Sequence, residues 1–136
     1  MIAGHEVLDH TGEIGLRVWA PTLEELFAEA GRALREIELP VVSPVYPTRT
    51  RTVAVRASDR PALLVEWLNE LIYLAERDRW VATEFGTGVV NETEARFEVT
   101  GVEIPTAPSE VKAATLHNLR LQPLDGGWEA EVILDV

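Results

Sequence analysis

The chain is 136 residues long and has no cysteine, which excludes a disulfide framework, thiolate metal sites and cysteine nucleophiles together. Its 12 Lys plus Arg stand against 23 Asp plus Glu, a net charge of −11. Such a surface repels phosphate backbones, so direct nucleic-acid binding is not expected. The opening residues lack the basic-then-apolar pattern of a signal peptide, and no apolar run approaches a membrane span. A cytoplasmic protein made of one domain, residues 1–136, is the expectation.

Residues 5–9 and 13–20 read as two strands. In the second, Ile14, Leu16 and Val18 alternate with Gly15, Arg17 and Trp19, the period of a half-buried strand. Between them lies His10-Thr11-Gly12, a tight turn with glycine available for a positive φ. Thr22 opens a helix, with Glu25 three residues on as in a capping box. Leu23, Leu26, Phe27, Ala30, Ala33, Leu34 and Ile37 form its apolar stripe. Pro40, Pro44 and Pro47 punctuate a loop, and strand character returns over 49–57. That stretch lies in an acid-free interval, Leu39 to Ser58, holding Arg49, Arg51 and Arg56. Charged side chains of this kind guard a sheet edge against pairing with other chains.

A second helix begins near Asp59, with Pro61 tolerated in its first turn. Leu63, Leu64, Trp67, Leu68, Leu71, Ile72 and Ala75 make its buried face. Beyond Trp80 the chain reads as strands over 80–85, 94–102, 111–124 and 128–136, the last two joined by a tight turn at Asp125-Gly126-Gly127. The expected fold is therefore a single α+β domain, with two amphipathic helices packed on one face of a mostly antiparallel or mixed sheet.

No glycine-rich phosphate loop, paired-histidine helix or nucleophile elbow is present. No catalytic residue is assigned. What remains are carboxylates at strand ends: Asp9 and Glu13 flanking the first turn, and Asp135 beside the main chain of Val136. If the last strand pairs near the first hairpin, Glu13, Asp135 and Val136 converge. An all-oxygen set suits Ca²⁺ or Mg²⁺ rather than zinc. Solvated acids at strand ends are the simpler alternative.

Residues 8–30, 63–73, 110–121 and 128–136 resemble, in order, the archease family. The likeness rests on a D-H-T-x-acidic turn at Asp9, a W-L-N-E-L helix at Trp67, a V-K-A-x-T strand at Val111 and an Asp at 135. The resemblance implies an accessory protein of the RtcB-type tRNA-splicing RNA ligase, promoting its guanylylation and multiple turnover. It implies that Glu13, Asp135 and Val136 hold a divalent cation, Ca²⁺ first, with Mg²⁺ or Mn²⁺ as alternatives. It also implies that Lys112 acts with Glu13 and Asp135 on the ligase; Asp9 and His10, beside Glu13 in the first turn, are candidate supporting residues. The family usually carries Asp where this chain has Glu13, which keeps the charge and reaches further.

Lys112 is the one lysine among 12 cationic side chains. An ammonium on a flexible stem can act as a point charge toward carboxylate or phosphoryl oxygens, where a planar guanidinium needs fork geometry. Three functions compete at this stage. The first is a non-enzymatic ligase activator, whose acidic surface suits a basic partner. The second is a divalent-metal-dependent phosphoester hydrolase, and the third a holdase chaperone.

Overall fold

The computed structural model describes residues 1–108 and 111–136, except for the side chain of His10. In chain order the elements are β1 (Gly4–His10), β2 (Glu13–Ala20), α1 (Leu23–Glu38), β3 (Thr48–Arg56), α2 (Arg60–Asp78), β4 (Trp80–Val90), β5 (Glu94–Glu103), β6 (Ala113–Leu124) and β7 (Gly127–Asp135). The α+β class and both amphipathic helices stand as expected. The strands, however, divide between two sheets. One has the order β1-β2-β7-β6 and the other β3-β5-β4, with every pairing antiparallel.

Local chemistry sets the element ends. Gly12 and Gly126 take φ of 77° and 79° in the two tight turns, a region closed to most side chains. The Thr22 hydroxyl accepts from the Glu25 amide at 3.1 Å, and the Asp59 carboxylate accepts from the Ala62 amide at 2.8 Å. Both side chains satisfy an amide that the first helical turn leaves unpaired. Strand β3 lies at the edge of its sheet. Arg51 there reaches Asp78 and Arg56 reaches Glu94, at 2.8 and 2.9 Å, in keeping with an edge guarded by charge.

Helix α1 packs on β1, β2 and β4, while α2 packs on β3, β4 and β6, so the helices tie the sheets together. Trp67 is fully buried where they meet. Its indole N–H donates to the Phe27 carbonyl at 2.9 Å, and its ring lies 4.7 Å from that of Phe97. Leu16, Val18 and Ala20 of β2, with Ala130, Val132 and Leu134 of β7, face this core. Alternation then sends Glu13, Arg17, Glu129, Glu131 and Asp135 to the opposite face. Among the described residues, no helix is long and apolar enough to cross a membrane.

One polar clamp holds the edge strand β1 to α1. His5 Nδ1 lies 2.6 Å from Glu29 and Nε2 lies 2.8 Å from Glu36, with Arg32 in turn 3.2 Å from Glu29. Burial lowers the imidazole pKa, but hydrogen bonds to the two carboxylates and their charges outweigh it and leave it raised. Only the imidazolium can donate from both nitrogens. The stability it contributes is complete below the unfolded value of 6.5 and is lost as pH rises through the raised native value. His5→Gln is therefore expected to destabilise by on the order of 1 kcal/mol near pH 6. The gap should narrow toward pH 9 in urea titrations, and a gap independent of pH would contradict the clamp.

Candidate functional site

The site is built at one end of the four-stranded sheet. Pairing of β2 with β7 sets Glu13 directly opposite Asp135. On the other flank of β7, Ala113 of β6 also stands opposite Asp135. On the other flank of β2, the backbone of His10 stands opposite Glu13. Directly opposed residues of an antiparallel pair share a face, with Cβ atoms about 4.5–5.5 Å apart. The carboxylates of Glu13 and Asp135 thus leave the same, helix-free side of the sheet as neighbours. Glu13 is half-buried and Asp135 exposed.

Lys112 joins them through the backbone, its amide donating to the Asp135 carbonyl at 2.8 Å. Its exposed side chain borders a cavity of about 240 Å³ shared with Glu38, Ile72, Glu76 and Val111. In that cavity burial pushes the Glu38 carboxyl up to about 8. No side-chain ion pair links Lys112 to Glu13 or Asp135. Asp9 does not join the carboxylate pair. It is opposite Ile14 and, by alternation, belongs to the face that α1 covers. The His10 side chain lies outside the described residues.

The charges elsewhere on this sheet face are engaged with one another. Arg17 reaches Glu129 at 2.8 Å and Glu6 at 3.4 Å. Arg120 reaches Glu129 at 3.0 Å and Glu131 at 3.1 Å. The Arg17 hydrogen bond, with support from Arg120, holds the nearly buried Glu129 carboxyl below its usual range. Among the described residues, Glu13, Asp135 and Lys112 make no side-chain hydrogen bond or ion pair. The same face therefore carries an ion-paired network and, at its end, two like charges side by side.

Two features of the site escape a reading by sequence periodicity. In β6, residues 116–119 stand opposite Val132 alone, a wide bulge with Asn118 at φ 52° and an exposed Leu116. Asn69 of α2 bonds both main-chain groups of Ala114, accepting from its N–H at 2.8 Å and donating to its carbonyl at 3.1 Å. A polar residue of modest helix propensity amid Trp67, Leu68 and Leu71 is the signal that marks it. Among the described residues, no group of three or more His, Asp or Glu side chains is arranged to hold a metal ion. A cation at this end of the sheet would draw on two carboxylates and main-chain oxygen.

Comparison with known proteins adds an independent line. The profile of the Archease protein family matches residues 5–136. A protein archease of Methanosarcina mazei is 31% identical, the match covering 97% of this chain and 95% of that one. One from Methanopyrus kandleri is 32% identical, with coverage of 96% and 98%. The solution structure of Methanobacterium thermoautotrophicum protein 1598 superimposes with a TM-score of 0.79 at 28% identity, over 98% of this chain and 99% of that one. A Thermotoga maritima crystal structure, described as an archease and possible chaperone, shares the fold at a TM-score of 0.68 and 21% identity, over 96% of each chain.

Proposed function

The chain belongs to the archease family, and from that premise we propose that it is a non-enzymatic accessory protein of the cytoplasm that activates an RtcB-type tRNA-splicing RNA ligase. The observation that carries the reading is the pairing of Glu13 with Asp135 next to Lys112, in a sheet face whose other carboxylates, Glu6, Glu129 and Glu131, are each ion-paired with Arg17 or Arg120. Like charges directly opposed across strands are destabilising, and nothing in the core requires this pair. A partner that supplies positive charge relieves it. The net charge of −11 complements a basic, RNA-binding surface on the ligase and speeds encounter with it.

The donor set fits a hard cation. Two carboxylates at cross-strand spacing offer only oxygen, the preference of Ca²⁺ and Mg²⁺. Glu13, Asp135 and the main chain of Val136 would hold it, with Ca²⁺ first and Mg²⁺ or Mn²⁺ as alternatives. When bound, the ion supplies positive charge that polarises nucleotide phosphate oxygens on the ligase. Glu13 and Asp135 orient, and Lys112 contributes a movable ammonium at the rim of the same strand end. Guanylylation itself remains the chemistry of the ligase.

Two measurements test this reading. In calorimetry Ca²⁺ is expected to bind with a dissociation constant of about 10⁻⁴ to 10⁻³ M, since few protein ligands are available. Asp135→Asn and Glu13→Gln should each weaken it at least about tenfold, by removing one anionic ligand. Equal binding in both variants would place the ion elsewhere.

In a reconstituted ligation assay, Lys112→Ala should lower multiple-turnover activity at least about tenfold, a loss of roughly 1.4 kcal/mol. Folding stability should change by less than about 0.5 kcal/mol. Lys112→Arg, which keeps the charge and changes its shape, should recover only part of the rate. Full stimulation by Lys112→Ala would remove the lysine from the account. Hydrolysis of nucleotides or phosphoesters by this protein alone would replace the accessory role with an enzymatic one.

A further inference from the structure

We infer that Asn69 is a positioning residue for the Lys112 strand end: its side-chain amide stands in for a missing neighbouring strand. The inference rests on the ligase-activation reading for its functional half and on geometry alone for its structural half. Strand β6 is the outermost of its sheet, so one rim of its backbone has no strand partner. An edge left this way frays or pairs with foreign strands. At Ala114 the rim is closed by one side chain, which accepts the N–H at 2.8 Å and donates to the C=O at 3.1 Å.

Those two bonds settle the orientation of the amide. Only an oxygen can accept from the Ala114 N–H and only an NH₂ can donate to its carbonyl, so a flipped amide loses both. The pattern copies the two-bond exchange of an antiparallel residue pair. Asn69 is itself held firmly. It lies two residues beyond Trp67, whose N–H is bonded to Phe27, and between the buried Leu68 and Leu71. The position of α2 is thereby transmitted to β6.

The placement of this clamp matters because of what surrounds Ala114. Ala113 is opposite Asp135, and the Lys112 amide donates to the Asp135 carbonyl. Beyond Thr115 the ladder breaks into the 116–119 bulge, so regular pairing holds β6 to β7 here only over Ala113 to Thr115. Three paired residues between a bulge and a loop have little cooperative support. The Asn69 amide adds the second side of the ladder over that short run. Without it, the segment carrying Lys112 is free to shift relative to Glu13 and Asp135. Smaller or acidic replacements cannot do this: Asp lacks the NH₂ donor, Ser lacks the reach, and Ala lacks both groups.

The test combines backbone amide exchange with ligase stimulation, using the full chain as Asn69→Ala and Asn69→Asp. In the wild type, the Ala114 amide should exchange at least about 100-fold more slowly than in an unstructured chain, although no strand covers it. An unprotected Ala114 amide would overturn the clamp whether or not either variant folds. In Asn69→Ala, exchange at Lys112 to Thr115 should quicken at least about tenfold while β2 amides stay as in the wild type. Asn69→Asp keeps the bond to the N–H but sets a carboxylate oxygen against the Ala114 carbonyl, so quickening there should be smaller.

Ligase stimulation is read well below each variant's melting temperature, where a merely stabilising residue has no effect. The maximal rate should fall at least about fivefold in Asn69→Ala, with the half-saturating concentration of this protein changed less than about twofold. Unchanged stimulation by a folded Asn69→Ala overturns the positioning role. A wild type that fails to stimulate the ligase overturns the function reading alone, and the exchange pattern still decides the clamp.

Discussion

The pairing of β2 with β7 is the constraint on which the rest of the structure depends. It sets Leu16, Val18 and Ala20 beside Val132, Ala130 and Trp128, so that one face of the sheet seals the core. Because side chains alternate, the same register sends Glu13 and Asp135 out together on the opposite face. A slip of β7 by one residue would carry Asp135 into the core and the strand's apolar set into water, parting it from Glu13. Core and site are therefore specified by one decision. The cost is a directly opposed pair of like charges, about 0.2–1 kcal/mol by the usual scale of cross-strand pairs.

Electrostatic design on this face has two parts. Around Glu129, Arg17 and Arg120 turn a nearly buried carboxylate into a satisfied crosslink between three strands. At the strand end the chain supplies no such counter-charge to Glu13 and Asp135 among the described residues. Lys112, the single ammonium in an arginine-rich set, is joined to Asp135 through its backbone while its side chain borders the cavity beside Glu38 and Glu76. An ammonium on a flexible stem acts there as a point charge, where a guanidinium needs planar fork geometry.

Much of this was legible in the residues. Period-two alternation located β2, the Thr22 and Asp59 caps located both helix starts, and glycine in the two tight turns matched backbone angles of φ 77° and 79°. Periodicity reports which face of a strand is buried, not which strand lies next to it. The division into two sheets was therefore invisible, and the meeting of Glu13 with Asp135 came from family likeness rather than spacing. The bulge at 116–119 hid for a related reason: Leu116, Leu119 and Leu121 break the alternation, but only Asn118, a residue that tolerates φ of 52°, hints at where. Asp9 was grouped with the site because it is near Glu13 in sequence, whereas alternation sends it to the helix-covered face.

The central claim is that Glu13 and Asp135 act as one unit on a partner enzyme. The most direct measurement is transfer of labelled guanylate to the ligase, followed over time with this protein added as wild type or as the Glu13→Gln, Asp135→Asn double variant. The account predicts that the wild type accelerates formation of the covalent ligase–guanylate. The double variant, folded and relieved of its like-charge pair, should leave the rate at that of the ligase alone. Acceleration by the double variant equal to that of the wild type would contradict it.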